Sequence, residues 1–220
     1  MSRPAGGFLI TLEGGDGSGK STLAKELAER LRKRGYRVRL TQEPSGTALG
    51  RLIKGIFQRR AAAGQDAPVS PLAEMFLFQA ARSQHVQTVI NPALEAGEIV
   101  LCDRFADSTL AYQGYGRGLP LEGVRACNEM ATGGLMPDIT LLLDAPPEVG
   151  LHRADSGAPK KTDSIGQEAL AFHRRVRDGY LELARQSPDR ILVIDATLPQ
   201  AAVTDLAWRA IEPRLEPKRS

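Results

Sequence analysis

Two cysteines, one tryptophan and three histidines in 220 residues leave little room for several kinds of chemistry. Cys102 and Cys127 stand 25 positions apart, without metal-ligand spacing or partners for a disulfide framework, and so few thiols suit a reducing compartment. No apolar run approaches the roughly 18 residues of a membrane span, so none is expected. The first seven residues lead directly into a short apolar run, and no signal peptide is expected there. Excess charge is also scarce. Lysine and arginine number 29 against 26 acids, a net +3 that suits anionic small molecules but is too slight and dispersed for nucleic acid. The basic stretch 30–39 sits at a helix end and reads as a solvated face. These absences describe a soluble, cytoplasmic chain without repeats.

What is present is rhythm. Apolar runs at 8–12, 37–41, 99–102, 139–143 and 191–194 read as strands. Between them lie helical patterns at 21–34, 48–62, 71–96, 121–131, 147–154, 167–186 and 200–211. This alternation predicts an α/β fold with a parallel sheet covered on both faces, and ligands at the carboxyl ends of the strands. No linker divides the chain, so residues 1–220 are expected to form one domain. Residues 61–68 read as a loop, and the unpatterned segment 155–166 is long enough for a mobile lid.

The first strand runs into Gly14-Gly15-Asp16-Gly17-Ser18-Gly19-Lys20-Ser21, followed by Thr22. This is a complete G-x-x-x-x-G-K-[ST] pattern between a strand and a helix. Such a turn gathers backbone N–H groups and a helix N-terminus around one point, which binds polyphosphate. Lys20 is expected to reach the β- and γ-phosphates, and the Ser21 hydroxyl to hold Mg²⁺. A carboxylate at another strand end is the usual partner of that ion. Asp103 and Asp144 compete for the role. Asp103 is favoured because Arg104 follows it, whereas Asp144, before Ala145-Pro146-Pro147, reads as a helix cap or a solvated strand end.

Two further patterns invite a ligand. Glu74, Phe78, Arg82 and His85 fall within about 80° of one another on a helix, where an aromatic ring and an arginine can stack a base and grip a phosphate. Taken alone, the commoner reading is a core phenylalanine with exposed charges. Ser108, Thr109, Tyr112 and Gln113, among Gly114, Gly116 and Gly118, can meet a base edge, or form an ordinary polar turn.

Together these segments resemble bacterial thymidylate kinases. The resemblance runs from Gly14–Thr22 through Glu43-Pro44-Ser45-Gly46-Thr47 and Phe78-x-x-x-Arg82 to Asp103-Arg104-Phe105-x-x-Ser108-x-x-Ala111-Tyr112-Gln113-Gly114, Pro137-Asp138 and Leu143-Asp144, over nearly the whole chain. It implies a three-layer P-loop NTPase fold with a five-stranded parallel sheet and a lid at about residues 152–166. It implies transfer of a phosphoryl group from ATP to dTMP, with Mg²⁺, in a homodimer. By the same resemblance Phe78 stacks on thymine, Arg82 and Arg104 contact the acceptor's phosphate and base, and Asp16 meets the sugar hydroxyl. Glu43 and Pro44 border the acceptor site, Ser108, Thr109, Tyr112 and Gln113 form its pocket, and Arg51 or Lys54 adds phosphate grip.

The lid departs from the family pattern. The phosphate loop has no arginine, and the lid offers only Arg153, Lys160 and Lys161 as catalytic cations. Lysine lacks arginine's planar fork, so the change is not neutral. The family's lid arginine and glutamate are missing from Asp163-Ser164-Ile165-Gly166, with Glu168 as a possible substitute, and Gln42 replaces a common arginine. The helix after the lid keeps Arg174, Arg175 and Arg177. The three histidines need no catalytic role. Competing readings are another nucleoside monophosphate kinase, a deoxynucleoside kinase using Glu43 as base, a P-loop switch protein, and a paralogue weakened by its lid.

Overall fold

The computed structural model describes residues 7–63, 69–156 and 170–215, with only the backbone described at 59–63 and 154–156. Lys160, Lys161, Glu168 and the lid segment beyond residue 156 lie outside the described residues. Five parallel strands form one sheet in the order β2-β3-β1-β4-β5: β1 Phe8–Gly14, β2 Val38–Gln42, β3 Ile99–Asp103, β4 Ile139–Asp144 and β5 Ile191–Asp195. The three inner strands are buried almost without interruption, whereas β2 and β5 are partly exposed. That difference follows from position, since an inner parallel strand has both faces covered and an edge strand does not. Arg37 and Arg39 close on Glu98 beside β2, placing charge along an otherwise open edge.

Helices α1 (Lys20–Lys33) and α9 (Gln200–Leu215) cover one face through Leu23, Leu27, Leu31, Trp208 and Ile211. Arg30 and Arg34 lie over the Trp208 ring at 4.6 and 4.5 Å. The opposite side carries α2 (Ala48–Ala63), α3 (Pro71–His85), α6 (Leu121–Thr132) and α8 (Leu170–Gln186). Ser70 caps α3 by accepting the Ala73 N–H, and Pro71 occupies the first turn, where its missing donor costs nothing.

Two elements differ from expectation. The single helix expected over 71–96 is interrupted after α3 by a π-helical stretch, Val86–Ile90, before α4 (Asn91–Glu95). Pro92 cannot donate to the preceding turn, and a wider turn accommodates it. The segment after β3 is not a polar surface turn. It forms α5 (Ala106–Thr109) and a π-helical stretch, Leu110–Gly116, both largely buried. Its glycines serve packing. A Cβ on Gly116 would lie 2.7 Å from the Phe172 ring and 2.9 Å from Val176, both on α8.

β1 lies between β3 and β4, so the chain departs to opposite sides of it. The crevice outside its carboxyl end is the topological switch point of the sheet. The phosphate loop leaves from that end, flanked by Asp103 and Asp144 at the ends of the neighbouring strands.

Candidate active site

The glycine-rich turn closes tightly on itself. Lys20, 7% exposed, donates from Nζ to the carbonyls of Gly14 (3.0 Å) and Gly15 (2.6 Å) and to the Ser18 hydroxyl (3.2 Å). Burial, followed by the neighbouring Arg104 charge, brings its pKa down to about 8, against the pull of Asp103, Asp16 and Glu13. Gly17 has φ +69, and a Cβ there would meet the Gly150 carbonyl at 1.9 Å. Only glycine lets the loop rest on α7 (Pro147–Ser156). Thr22 and Ser21 lie exposed in the first turn of α1. The Ser21 hydroxyl donates to Asp103 Oδ2 at 2.5 Å.

A cleft of about 240 Å³ opens beside the loop and shares Asp16 with it. Glu43 and Pro44, Phe78 and Arg82, and Arg104 to Gln113 contribute its other walls, brought together from three strand ends and α3. Lys54 lines this cleft and Arg51 does not. Arg51, expected as one of two alternatives, faces solvent, because three residues further along the helix rotate the side chain by about 60°.

Arg104 is the hinge between the two regions. It is the one non-glycine residue with positive φ among those described, at +70°. Such a conformation persists only where its surroundings hold it. The Arg104 N–H donates to Leu12 O at 2.9 Å, and the next N–H, of Phe105, donates to Glu13 Oε1 at 2.7 Å. The guanidinium then reaches Asp16 Oδ1 at 2.5 Å, the Tyr112 hydroxyl at 3.1 Å and Ser108 Oγ at 3.3 Å. Burial raises the Asp16 pKa, but Arg104, Lys20, His173 and Tyr112 together outweigh it and leave the carboxyl below its usual range.

Arg82 is not an exposed charge beside a core ring. It is 2% exposed, and all five of its N–H groups meet protein acceptors. Nε and Nη2 pair with Glu43 at 2.9 and 2.8 Å, Nη2 also meets Phe105 O, and Nη1 serves Thr109, Asn128 and Gln79. Phe78 stacks on Phe57 at 5.1 Å on one side and lines the cleft on the other. His85, fully buried, meets Thr41 at 2.7 Å and Glu43 at 3.3 Å.

A comparison with known proteins bears directly on this arrangement. The family model described as thymidylate kinase matches residues 12–206. A thymidylate kinase of Synechococcus sp. (strain JA-2-3B'a(2-13)) is 52% identical over 208 residues, covering 94% of this chain and 96% of its own. One from Deinococcus radiodurans is 47% identical over 209 residues, covering 94% and 98%. This chain belongs to the thymidylate kinase family. The crystal structure of the thymidylate kinase from Ehrlichia chaffeensis superposes with a TM-score of 0.75 at 32% identity, covering 94% of this chain and 99% of that one.

One group in this family member was not singled out by the sequence. Glu13 is wholly buried behind Arg104, accepting from Phe105 N–H, Ser108 (2.6 Å) and Tyr180 (2.9 Å). Desolvation, with Asp107 nearby, pushes its pKa up to about 7. A carboxylate closing an apolar strand immediately before the loop was the available signal. Asp144 neither caps a helix nor lies in solvent. It takes two hydrogen bonds from Arg177, at 2.7 and 2.8 Å, binding β4 to α8. Arg174 and Arg175 are likewise engaged, with Glu148 and the Gly116 carbonyl. Arg153 donates to the Ala196 carbonyl at 2.8 Å, beside the end of β5.

Proposed function

We propose that the chain transfers the γ-phosphoryl group of ATP to the phosphate of dTMP, giving ADP and dTDP. The observation that carries this reading is the junction of two sites. A complete phosphate loop and a separate cleft meet at Asp16, and Arg104 is anchored at that meeting point. Such a reaction needs two anionic substrates aligned and their charge offset, without a protein nucleophile. The acceptor's own phosphate oxygen attacks. The loop's N–H groups and Lys20 cradle the donor, Arg104 and Lys54 face the acceptor, and Phe78 offers a flat apolar wall to its base.

The donor set suits Mg²⁺. Ser21 and Asp103 supply two adjacent oxygen ligands, and no cluster of three metal-binding side chains occurs among the described residues. A cation that draws its other ligands from phosphate and water fits that pattern. When bound, it supplies charge neutralisation on the phosphate oxygens. Ser21 and Asp103 are the residues that would hold it.

The remaining cations come from one domain's lid, residues 152–166, with Lys160 and Lys161 as candidates and Arg153 at its base. A homodimer is supported by Leu49, Leu52 and Ile56 on α2 and by Leu72 and Phe76 on α3, all exposed apolar side chains on two adjoining helices. Cytoplasmic residence is in keeping with two free thiols. A coupled ADP-release assay across dTMP, dUMP, dCMP, AMP and thymidine tests the reading. Turnover with dTMP and not thymidine supports it, and ATP binding without any dTDP formation refutes it. Glu43 argues against the deoxynucleoside-kinase alternative, since both carboxylate oxygens are occupied by Arg82 and His85.

A further inference from the structure

We propose that Gly150 on α7 is a positioning residue for phosphoryl transfer: its bare backbone seats the Asp16 carbonyl and so sets the phosphate loop against the cleft. The proposal rests on the reading of loop and cleft as the donor and acceptor sites of one transfer.

Gly150 is buried in the first turns of α7. Its φ lies outside the left-handed region, so alanine could take the same backbone, and alanine is the better helix former. What keeps a side chain out is space. A Cβ on Gly150 would lie 2.3 Å from the Asp16 carbonyl oxygen, just as a Cβ on Gly17 would lie 1.9 Å from the Gly150 carbonyl oxygen. Each backbone fills the place of the other's missing side chain. The contact falls on the one residue that loop and cleft share. Asp16 turns its carboxylate to Arg104 at 2.5 Å and its carbonyl to α7.

Neither body is free to give way. Lys20 draws the loop inward through the Gly14 and Gly15 carbonyls. Asp144, just before α7, takes two hydrogen bonds from Arg177, and Arg153 ties the helix to the Ala196 carbonyl at 2.8 Å. A methyl group at position 150 must therefore displace the Asp16–Gly17 backbone. Phosphoryl transfer depends on alignment, and a misplacement of about 1 Å can cost about a hundredfold in rate. The other walls of the cleft, Glu43, Pro44, Lys54, Phe78, Arg82 and the segment after β3, belong to other elements, so affinity for the acceptor should change little.

The test compares Gly150→Ala with wild type and with Gly123→Ala, a glycine in α6 where a Cβ would meet nothing within 4 Å. The readouts are kcat, dTMP affinity without ATP, and the folded fraction from urea unfolding. The expected result for Gly150→Ala is a kcat lower by at least about tenfold per folded molecule, with dTMP affinity within about threefold of wild type. Gly123→Ala should keep both. A kcat within about twofold of wild type overturns the proposal. So does a loss that only follows the unfolded fraction, which is what a merely structural glycine would give, or a loss shared equally by dTMP affinity. If Gly150→Ala does not fold, amide hydrogen exchange on the wild type decides. A contact that favours the ligand-binding form of the loop must itself be tightened when the loop is filled. Exchange across residues 147–151 should therefore slow when ATP binds, and unchanged exchange overturns the proposal. A wild type that binds ATP with slowed exchange yet phosphorylates no acceptor refutes the kinase reading instead, which is a different failure.

Discussion

Replacing Glu43 with alanine should cost this enzyme several kcal/mol of stability, although the residue sits on a loop at the edge of a cleft. The reason is Arg82. Its side chain is 3% exposed and that of Glu43 6%, so the pair has left water almost completely. Two of the five guanidinium donors end on Glu43 Oε2, and His85 leans on Oε1. Truncating Glu43 leaves a buried cation without its counter-charge. Breaking such a pair from one side costs about 3–5 kcal/mol, far more than the pair is worth against an apolar substitute. For a chain of this length that is a fall in Tm of roughly 6–20 °C. Glu43→Gln should fall between, because one oxygen can still accept from Arg82. Urea unfolding of wild type, both variants and Arg82→Ala supplies the measurement, and a cycle through the Glu43→Ala/Arg82→Ala double variant should give a coupling energy in the upper part of the usual range of about 0.5–3 kcal/mol. A loss below about 1 kcal/mol for Glu43→Ala would mean the pair is solvated, as surface pairs are, and the reasoning would fail.

Lys20 carries its proton against burial, so in the ligand-free protein its cost is present below about pH 8 and is relieved as pH rises toward 10.5; the stability gap between wild type and Lys20→Met should shift in favour of the wild type by about 3 kcal/mol across that window, read by urea unfolding, while Lys20→Met abolishes turnover. Glu13 behaves in the opposite sense. Its carboxyl is raised from 4.5 to about 7, so the folded state holds the extra proton between those values and loses stability as pH climbs through them; Glu13→Gln should match wild type near pH 4.5 and exceed it by up to about 3 kcal/mol near pH 8, and an invariant gap would show that the carboxyl ionises normally. Asp103→Asn should raise the Mg²⁺ concentration needed for half-maximal turnover by about tenfold or more, and an unchanged titration would remove Asp103 from the metal site.

How much of this was legible in the sequence depends on where the cause of each feature lies. The phosphate loop was plain because its geometry is local. Gly17 and Gly19 take positive φ within a few residues of the lysine they position, and the pattern records that need directly. The cleft residues were legible for a related reason, since strand ends carry them and the strand rhythm was strong. The failures share the opposite property. Residues 108–118 can also be read as an ordinary polar turn because they contain three glycines, yet Gly116 is small for the sake of Phe172, a residue on a helix far along the chain. Nothing local to the segment states that need. Asp144 looks like a cap because its partner, Arg177, is 33 positions away.

Glu13 is the clearest instance of that limit, and it shows what the long-range contacts accomplish. Its carboxylate lies 92 positions from the Phe105 N–H and 167 from the Tyr180 hydroxyl, and no spacing rule connects them. Those contacts decide how Arg104 is held. An arginine at φ +70 would relax in an isolated peptide, because an L-residue there is strained by about 1–2 kcal/mol. Here the N–H on either side of it is captured, one by Leu12 and one by Glu13, and its side chain is bound by Asp16, Ser108 and Tyr112. Asp16 belongs to the phosphate loop, so the strained turn and the loop are held in register with each other. The sequence names the residues of the phosphate loop and of the cleft. The fold adds the alignment between them, with Glu13 buried behind Arg104 and tied to Phe105 and Ser108.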